Sequence, residues 1–309
     1  MKGRKVLFLV FGLFIAINSL ISPNRAFASP PQPDGQYDFS TALFNGGLEE
    51  ISSDWPRIFA SGTPYLNKKD SEEKVNLRPV FKTGRVILIP PYALALHHVV
   101  DVQVFEDIYM TPYGPGTIST KADGVLEEKY WLQESKNSSK KIPLEKILFL
   151  EKYDLALFLM PPDSHKEISY PVFKIGSSKE LKLGNVIYLL GSPRLIGVNI
   201  RPGIISALDK HFDMEAVSVL QGEFEKWAHG MTIGLSIPAK GGDSGSPVVA
   251  LRDGKPELVG LLNMSIISNF STILSIDEVI EKIKKASSIN LRLQNAVNLK
   301  RIKNNVGPR

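Results

Sequence analysis

From residue 78 onward, short apolar runs alternate with turn-forming residues at close intervals. Val86-Ile87-Leu88 stands between Thr83-Gly84 and Pro90-Pro91, which predicts a buried strand ended by a turn. Residues 92–100 (YALALHHVV) form a second apolar segment, and residues 124–132 (GVLEEKYWL) read as part of a hairpin. In residues 147–160 (ILFLEKYDLALFLM) two apolar runs enclose a short polar turn. Residues 185–190 (NVIYLL) lead into Gly191-Ser192-Pro193, and Arg201-Pro202-Gly203 opens the run 204–208 (IISAL). The more polar stretch 211–227 reads as a long hairpin. Residues 231–237 and 248–251 are apolar and flank a seven-residue loop, 241–247 (GGDSGSP). Arg252-Asp253-Gly254-Lys255 turns into a returning strand over residues 258–264. The periodicity then changes. Ser275-Ile276-Asp277-Glu278 is a capping box, and Ile276, Val279, Ile280 and Ile283 make a helical stripe. The pattern predicts an all-β domain over residues 78–285, built as two strand-rich halves and closed by one C-terminal helix.

The flanks differ from this body. Lys2, Arg4 and Lys5 precede an apolar core at residues 6–17, and Ala26-Phe27-Ala28 has the form of a cleavage site. Residues 1–28 therefore read as a signal peptide, which implies an extracytoplasmic protein, periplasmic or secreted, with no stable membrane span after cleavage. Residues 29–77 form a leader: Pro-rich at 29–35 (SPPQPDG), then weakly periodic, either a strap packed on the domain or a propeptide. Residues 286–309 are a basic tail, with Arg292, Lys300, Arg301, Lys303 and Arg309 and no acid, read as a solvated segment. The chain carries a net charge of +5, of which Lys2, Arg4, Lys5 and Arg25 supply four, leaving +1 after cleavage. That near balance gives no reason to expect a nucleic-acid partner. There is no cysteine, so disulfides and thiolate metal sites are excluded.

The loop 241–247 carries the candidate chemistry. Its glycines allow a tight turn that exposes Ser244, and two N–H groups of such a turn can converge on a developing oxyanion. A serine hydroxyl needs a base, and the base needs an orienting carboxylate. The chain has five histidines: His97, His98, His165, His211 and His229. His97 and His98 fall on opposite faces if their strand continues through them. Asp154, flush against Leu155-Ala156-Leu157, is an acid in an apolar setting where it needs hydrogen-bond partners.

His98, Asp154 and Ser244 run in the order His, Asp, Ser found in chymotrypsin. The segments around them, LALHHVVD (94–101), YDLALF (153–158), GSPRLIGVNIRPGIISAL (191–208), GGDSGSPVV (241–249) and SIDEVIEKI (275–283), resemble the trypsin-like serine peptidases. Within these the likeness is to the bacterial HtrA-like and glutamyl-endopeptidase-like branches. The resemblance implies a double β-barrel of the chymotrypsin type and a serine endopeptidase acting on protein or peptide, with no metal and no cofactor. It implies Ser244 as nucleophile, His98 as general base and Asp154 as the residue fixing the imidazole tautomer. Gly242 and Ser244 would donate the oxyanion-hole N–H groups, and Asn263, Met264 and Ser265 would lie in the substrate-binding strand. His98 is preferred to His97 because Val99-Val100 follow it.

Several positions depart from the pattern. Leu96-His97 precede the base where the family has small residues. Asp243 and Ser246 stand where HtrA-like members carry Asn and Gly. No Ile-Val-Gly-Gly segment occurs to supply a new N-terminus for Asp243, so Lys240, Arg194 and Arg201 are its candidate cations. Pro238 falls where the family places the base of its specificity pocket, so cleavage after Lys or Arg is not expected, and a small or apolar residue is. Too few residues follow the helix for a PDZ domain. The alternative function is a protease-like module that holds a peptide or protein without cutting it.

Overall fold

The first strand, β1 (Arg57–Asn67), buries Ile58, Ala60, Gly62 and Pro64 on one face and leaves Phe59, Ser61 and Thr63 partly exposed. It begins ahead of residue 78, where the apolar pattern places the start of the sheet region. Small residues and a proline fill its inward face while an aromatic faces outward, so the usual alternation signal is inverted. The computed structural model of the protein describes residues 33–41, 56–68, 73–111, 114–133, 140–167, 173–193, 198–208, 232–267 and 269–289. The signal-like segment, the polar stretch 211–227 and the basic tail beyond residue 289 lie outside them. Apart from residues 33 and 34, the described residues belong to one compact unit, Gly35–Arg309.

The first half consists of two sheets. In one, β1 pairs with β2 (Lys74–Asn76), β3 (Val80–Arg85) and β8 (Gly124–Gln133), and β9 (Ile142–Pro143) joins β8. In the other, the order is β10 (Glu145–Leu150), β11 (Leu155–Leu159), β5 (Tyr92–Ala95), β4 (Ile87–Ile89). Ile58 and Leu132 from the first sheet share a core with Leu94 and Phe158 from the second. The hairpin β6 (Val104–Thr111) and β7 (Gly114–Lys121) stands apart from both sheets.

The second half closes on itself. Its strands are β12 (Lys174–Ile175), β13 (Val186–Gly191), β14 (Asn199–Ala207), β15 (Thr232–Leu235), β16 (Pro247–Arg252), β17 (Lys255–Ile267) and β18 (Phe270–Ser275). They run in the order β17-β16-β13-β14-β15-β18, and β18 pairs back onto β17 to complete a six-stranded barrel. Ile187, Leu189, Ile205, Leu235, Val248 and Ile273 fill its interior. Closure leaves no free edge around most of the barrel. β17 is the exception. β16 covers it only from Lys255 to Leu261, while β18 covers it from Gly260 to Ile267. Beyond Leu261 one edge of β17 has no strand partner among the described residues.

Helix α1 (Ile276–Ile289) buries Ile276, Val279 and Ile283 in the core of the first half, together with Leu258, Leu261 and Leu274 from the barrel. The predicted stripe is the buried face. Glu278 N–H donates to Ser275 Oγ at 3.3 Å, and Asp277 Oδ2 accepts from Ser177 Oγ, Ser178 Oγ and Lys179 N. The helix is thereby fixed to both halves.

Residues 37 and 38 are bonded to the barrel. Asp38 N–H donates to Leu251 O at 2.7 Å, and Val186 N–H donates to Asp38 O at 2.8 Å. Tyr37 is buried; its hydroxyl donates to Glu257 at 3.1 Å and accepts from Ser177 N at 2.8 Å. Burial and the nearby Glu257 carboxylate hold that phenol far above its ordinary pKa. The Arg252 guanidinium lies 4.1 Å from the ring centre and bonds Glu257 at 2.9 Å. Replacing Tyr37 by Phe removes the donor to Glu257 and strands the Ser177 N–H, while Arg252 still neutralises the carboxylate. The expected loss is about 1–3 kcal/mol, read as a lower urea midpoint at unchanged m-value.

Candidate active site

β5 ends at Ala95, and residues His97–Val99 form a single 3₁₀ turn. The two histidines are therefore not strand neighbours on opposite faces, as alternation predicts. The turn can lie against β3 because position 84 is glycine: a Cβ there would collide with the Val99 side chain. His97 points inward, with its ring edge-on to Phe149 at 5.0 Å and Nδ1 4.0 Å from Asp101 Oδ2. Burial pushes the His97 pKa down, against the pull of Asp101, Asp154 and Glu151 and with a smaller push from Lys121.

His98 faces outward, its side chain 22% exposed. Its Nδ1 lies 2.7 Å from Asp154 Oδ2, and its backbone N–H donates to Asp154 Oδ1 at 2.9 Å. Asp154 is 4% exposed and sits in the left-handed region (φ 50°, ψ 43°), capping the 3₁₀ turn Glu151–Tyr153. That backbone reversal turns the carboxylate back toward the histidine turn, and Asp154 O accepts from His97 N at 3.1 Å. One buried aspartate thus grips both the ring and the backbone of His98. The bond to Nδ1 selects the tautomer with its proton there, which leaves Nε2 as a proton acceptor.

Ser244 occupies the turn before β16. Gly242 and Gly245 have φ of +102° and +80°, and a Cβ on Gly245 would stand 2.8 Å from Arg85 O. Within the loop, Asp243 N–H donates to Lys240 O, Gly245 N–H to Leu262 O and Ser246 N–H to Asp243 O, at 2.8–3.0 Å. The N–H groups of Gly242 and Ser244 donate to no carbonyl among the described residues. Of the five amides from Gly242 to Ser246, three are thus bonded within the fold. Ser244 O accepts from Arg85 N at 3.5 Å, and Lys82 Nζ reaches His98 O at 3.5 Å. β3 therefore touches both the His98 turn and the Ser244 loop. The structure joins His98 to Asp154 directly and brings Ser244 to the same strand from the other barrel.

Residues 93–261, more than half of the chain, match the family of the trypsin-like peptidase domain. The chain belongs to the trypsin-like peptidases. Its two packed β units, with the histidine and aspartate on the first and the serine on the second, form the double β-barrel of that family. Among solved structures, the HtrA-type protease AlgW with a decapeptide is similar at a TM-score of 0.48 and 13% identity, over 76% of this chain and 64% of that one. The same protease with a tripeptide gives 0.46 and 14%, over 78% and 62%. The chain spans less than two thirds of these structures' chains. No curated protein matches the sequence significantly.

Asp243, the departure from the HtrA-like pattern in this trypsin-like peptidase, has no exposed surface. Arg201 Nη2, on β14, lies 2.6 Å from its Oδ1. Nη2 makes no directed hydrogen bond among the described residues, so the contact is ionic. Arg201 directs Nε to Asn199 Oδ1 at 3.1 Å and Nη1 to the Pro238 carbonyl. Ser192 N–H donates to Asp243 Oδ1 at 3.0 Å and Lys240 N–H to Oδ2 at 2.8 Å. Of the three candidate cations, Arg201 makes the pair. Lys240 contributes only its backbone, and Arg194 lies outside the described residues. Gly191 makes room, since a Cβ there would overlap both Arg201 and Asp243.

Asn263, Met264 and Ser265 follow Leu262 on β17, at its uncovered edge. Leu262 itself brackets the loop: Gly245 N–H donates to its carbonyl, and its N–H donates to Ser246 O, both at 2.8 Å. The sequence did not single out Arg57, Arg85 or Ser192. An arginine after Gly84, ahead of the apolar Val86 to Ile89, was the signal present for a buried cation.

Two outcomes are expected. Arg201→Met leaves Asp243 as an uncompensated buried charge and lowers stability by about 3–5 kcal/mol; adding Asp243→Asn recovers part of it, both read by urea unfolding. His97 is held below its unfolded pKa, so the unfolded chain binds the proton first. Its contribution is therefore intact above pH about 6.5 and is lost as pH falls through its folded pKa. His97→Gln should shift the acid limb of a stability–pH curve to lower pH.

Proposed function

We propose that the protein is an exported serine endopeptidase that cleaves peptide bonds with Ser244 as nucleophile, His98 as general base and Asp154 as the residue orienting it. The observation that carries this reading is the two-point grip of Asp154 on His98, within a trypsin-like peptidase domain. In the proposed mechanism, Ser244 Oγ attacks the scissile carbonyl carbon and its proton passes to His98 Nε2. The buried Asp154 carboxylate stabilises the imidazolium that results. The carbonyl oxygen takes up negative charge against the N–H groups of Gly242 and Ser244. His98 then protonates the leaving amine, and the acyl-enzyme is hydrolysed by a water activated at the same base.

The uncovered edge of β17 supports a peptide as substrate. An extended chain can add to Asn263–Ser265 as a further strand, which places its next peptide bond beside the loop that Leu262 anchors. The Asp243–Arg201 pair supplies the buried cation internally, so the proposed oxyanion loop is set without cleavage to a new N-terminus. Export is supported by the sequence of residues 1–28. Among the described residues, no helix is long and apolar enough to cross a membrane.

Ser244→Ala should abolish fluorophosphonate labelling and lower peptide hydrolysis by about 10⁴-fold or more, with the urea midpoint unchanged. Turnover surviving that change would remove Ser244 from the mechanism. A folded wild-type chain that takes no label would favour the peptide-holding alternative. Asp154→Asn should lower kcat by about 10⁴-fold, because the wrong tautomer is then held.

A further inference from the structure

The turn that carries Asp154 is short. Its residues, Glu151–Tyr153, close through one bond, from Asp154 N–H to Glu151 O at 3.0 Å, and Asp154 then takes a left-handed backbone. A residue other than glycine keeps such a conformation only where its surroundings impose it. Two contacts reach the turn from other elements. Lys121 of β7 bonds Glu151 at 2.8 and 2.9 Å, but both side chains are about half exposed, so water screens the pair. The second contact is better protected. Lys282 of α1 sets its ammonium over the Tyr153 ring, 4.2 Å from the ring centre. Glu278, one turn earlier on the helix, bonds that ammonium at 2.9 Å, and the two side chains are 18% and 16% exposed. The bond to Glu278 holds Lys282 above its ordinary pKa, against burial and with a further upward pull from Tyr153, so the charge persists through neutral and acid pH. A partly desolvated cation holds an aromatic face more strongly than an exposed one does.

Tyr153 stands immediately before Asp154, and Glu278 is anchored in turn. Its N–H donates to Ser275 Oγ at the end of β18, the strand that pairs Ile273 with Leu262 of β17. Leu262 holds the Ser244 loop. A continuous run of contacts thus leads from the barrel that carries Ser244, through Glu278, Lys282 and Tyr153, to the turn that carries Asp154. We propose that Lys282 is a positioning residue: held by Glu278 and seated on the Tyr153 ring, it fixes this turn and so keeps the Asp154 carboxylate on the His98 imidazole. This inference rests on the peptidase reading and adds to it that the C-terminal helix sets the geometry of the base. Lys282 touches neither substrate nor reacting atoms, so its removal acts on kcat rather than on KM.

The test compares the wild-type chain with Lys282→Met, which keeps the apolar stem and removes the charge. kcat should fall by about fivefold, the equivalent of one cation–π contact, with KM unchanged. The acid limb of the kcat/KM–pH profile should move to lower pH, because the His98 imidazolium then meets a less well placed carboxylate. Lys282→Arg, whose guanidinium also stacks on a ring, should restore most of the rate. Tyr153→Leu should reproduce both changes, and it carries the test if Lys282→Met does not fold; in that background Lys282→Met should cost nothing further. A folded Lys282→Met chain with kcat and acid limb unchanged would overturn the proposal. Proton NMR of the His98 Nδ1–H separates the two readings, because its downfield resonance reports the bond to Asp154 without turnover. A wild-type chain without turnover whose resonance moves upfield in Lys282→Met would sink the peptidase reading and keep the positioning role. Turnover with a resonance that Lys282→Met leaves in place would do the reverse.

Discussion

A carboxylate with no exposed surface, one residue before Ser244, is the constraint on which the site depends. A buried charge is tolerated only where its partners are fixed, and Asp243 takes its partners from three separate segments. Arg201 comes from β14, the Ser192 N–H from the end of β13, and the Lys240 N–H from the approach to the loop. Moving the loop would strand the charge. The pair need not add much net stability, because desolvating two ions offsets most of their attraction. What it does is select one loop geometry. In that geometry the amides of Asp243, Gly245 and Ser246 are bonded within the fold, and those of Gly242 and Ser244 are the proposed oxyanion donors. The proposed oxyanion hole needs donors that are fixed in place, and a buried ion pair under a glycine-rich turn fixes the backbone that carries them.

The junction between the two halves is equally restrictive. β3 approaches the histidine turn through Gly84 and the serine loop through Gly245, and a Cβ at either position would meet an occupied atom. Gly245 sets how closely the serine loop approaches the first half, and Gly84 how closely the histidine turn lies on β3 within that half. Helix α1 acts at a distance from the site, packing Ile276 and Val279 into the first half's core while its N-terminus is bonded to the Ser177–Lys179 segment. Each half contributes what the other lacks. The first holds the imidazole and its carboxylate; the second holds the serine, the amides and the open edge of β17.

Much of this was readable in the chain because the signals were local. The serine loop, the capped helix and the aspartate set in an apolar run each show within a few residues. His98 was separable from His97 by the two valines after it, although the strand alternation used to divide them does not exist, since a 3₁₀ turn replaces it. The parts that were not legible depend on pairing across long sequence distances. β1 hid because its inward face is Ile, Ala, Gly and Pro. Tyr37 reads as a leader residue until Glu257 and Ser177 close around its hydroxyl. Arg57 and Arg85 become neighbours only through a strand register that nothing in either segment announces. The partner of Asp243 stayed one of three for the same reason.

The arrangement of charge around the site follows from this division. In the proposed mechanism, positive charge grows on the His98 imidazole as negative charge grows on the carbonyl oxygen. The buried Asp154 lies beside the first. The N–H groups of Gly242 and Ser244, proposed to receive it, lie beside the second. A charge separation that water would have to reorganise to solvate would, in that mechanism, meet fixed groups oriented in the same sense, a carboxylate beside the imidazole and backbone N–H groups beside the carbonyl oxygen. Fixed groups do not pay that reorganisation, so the contribution is realised as the charges form rather than when the substrate binds.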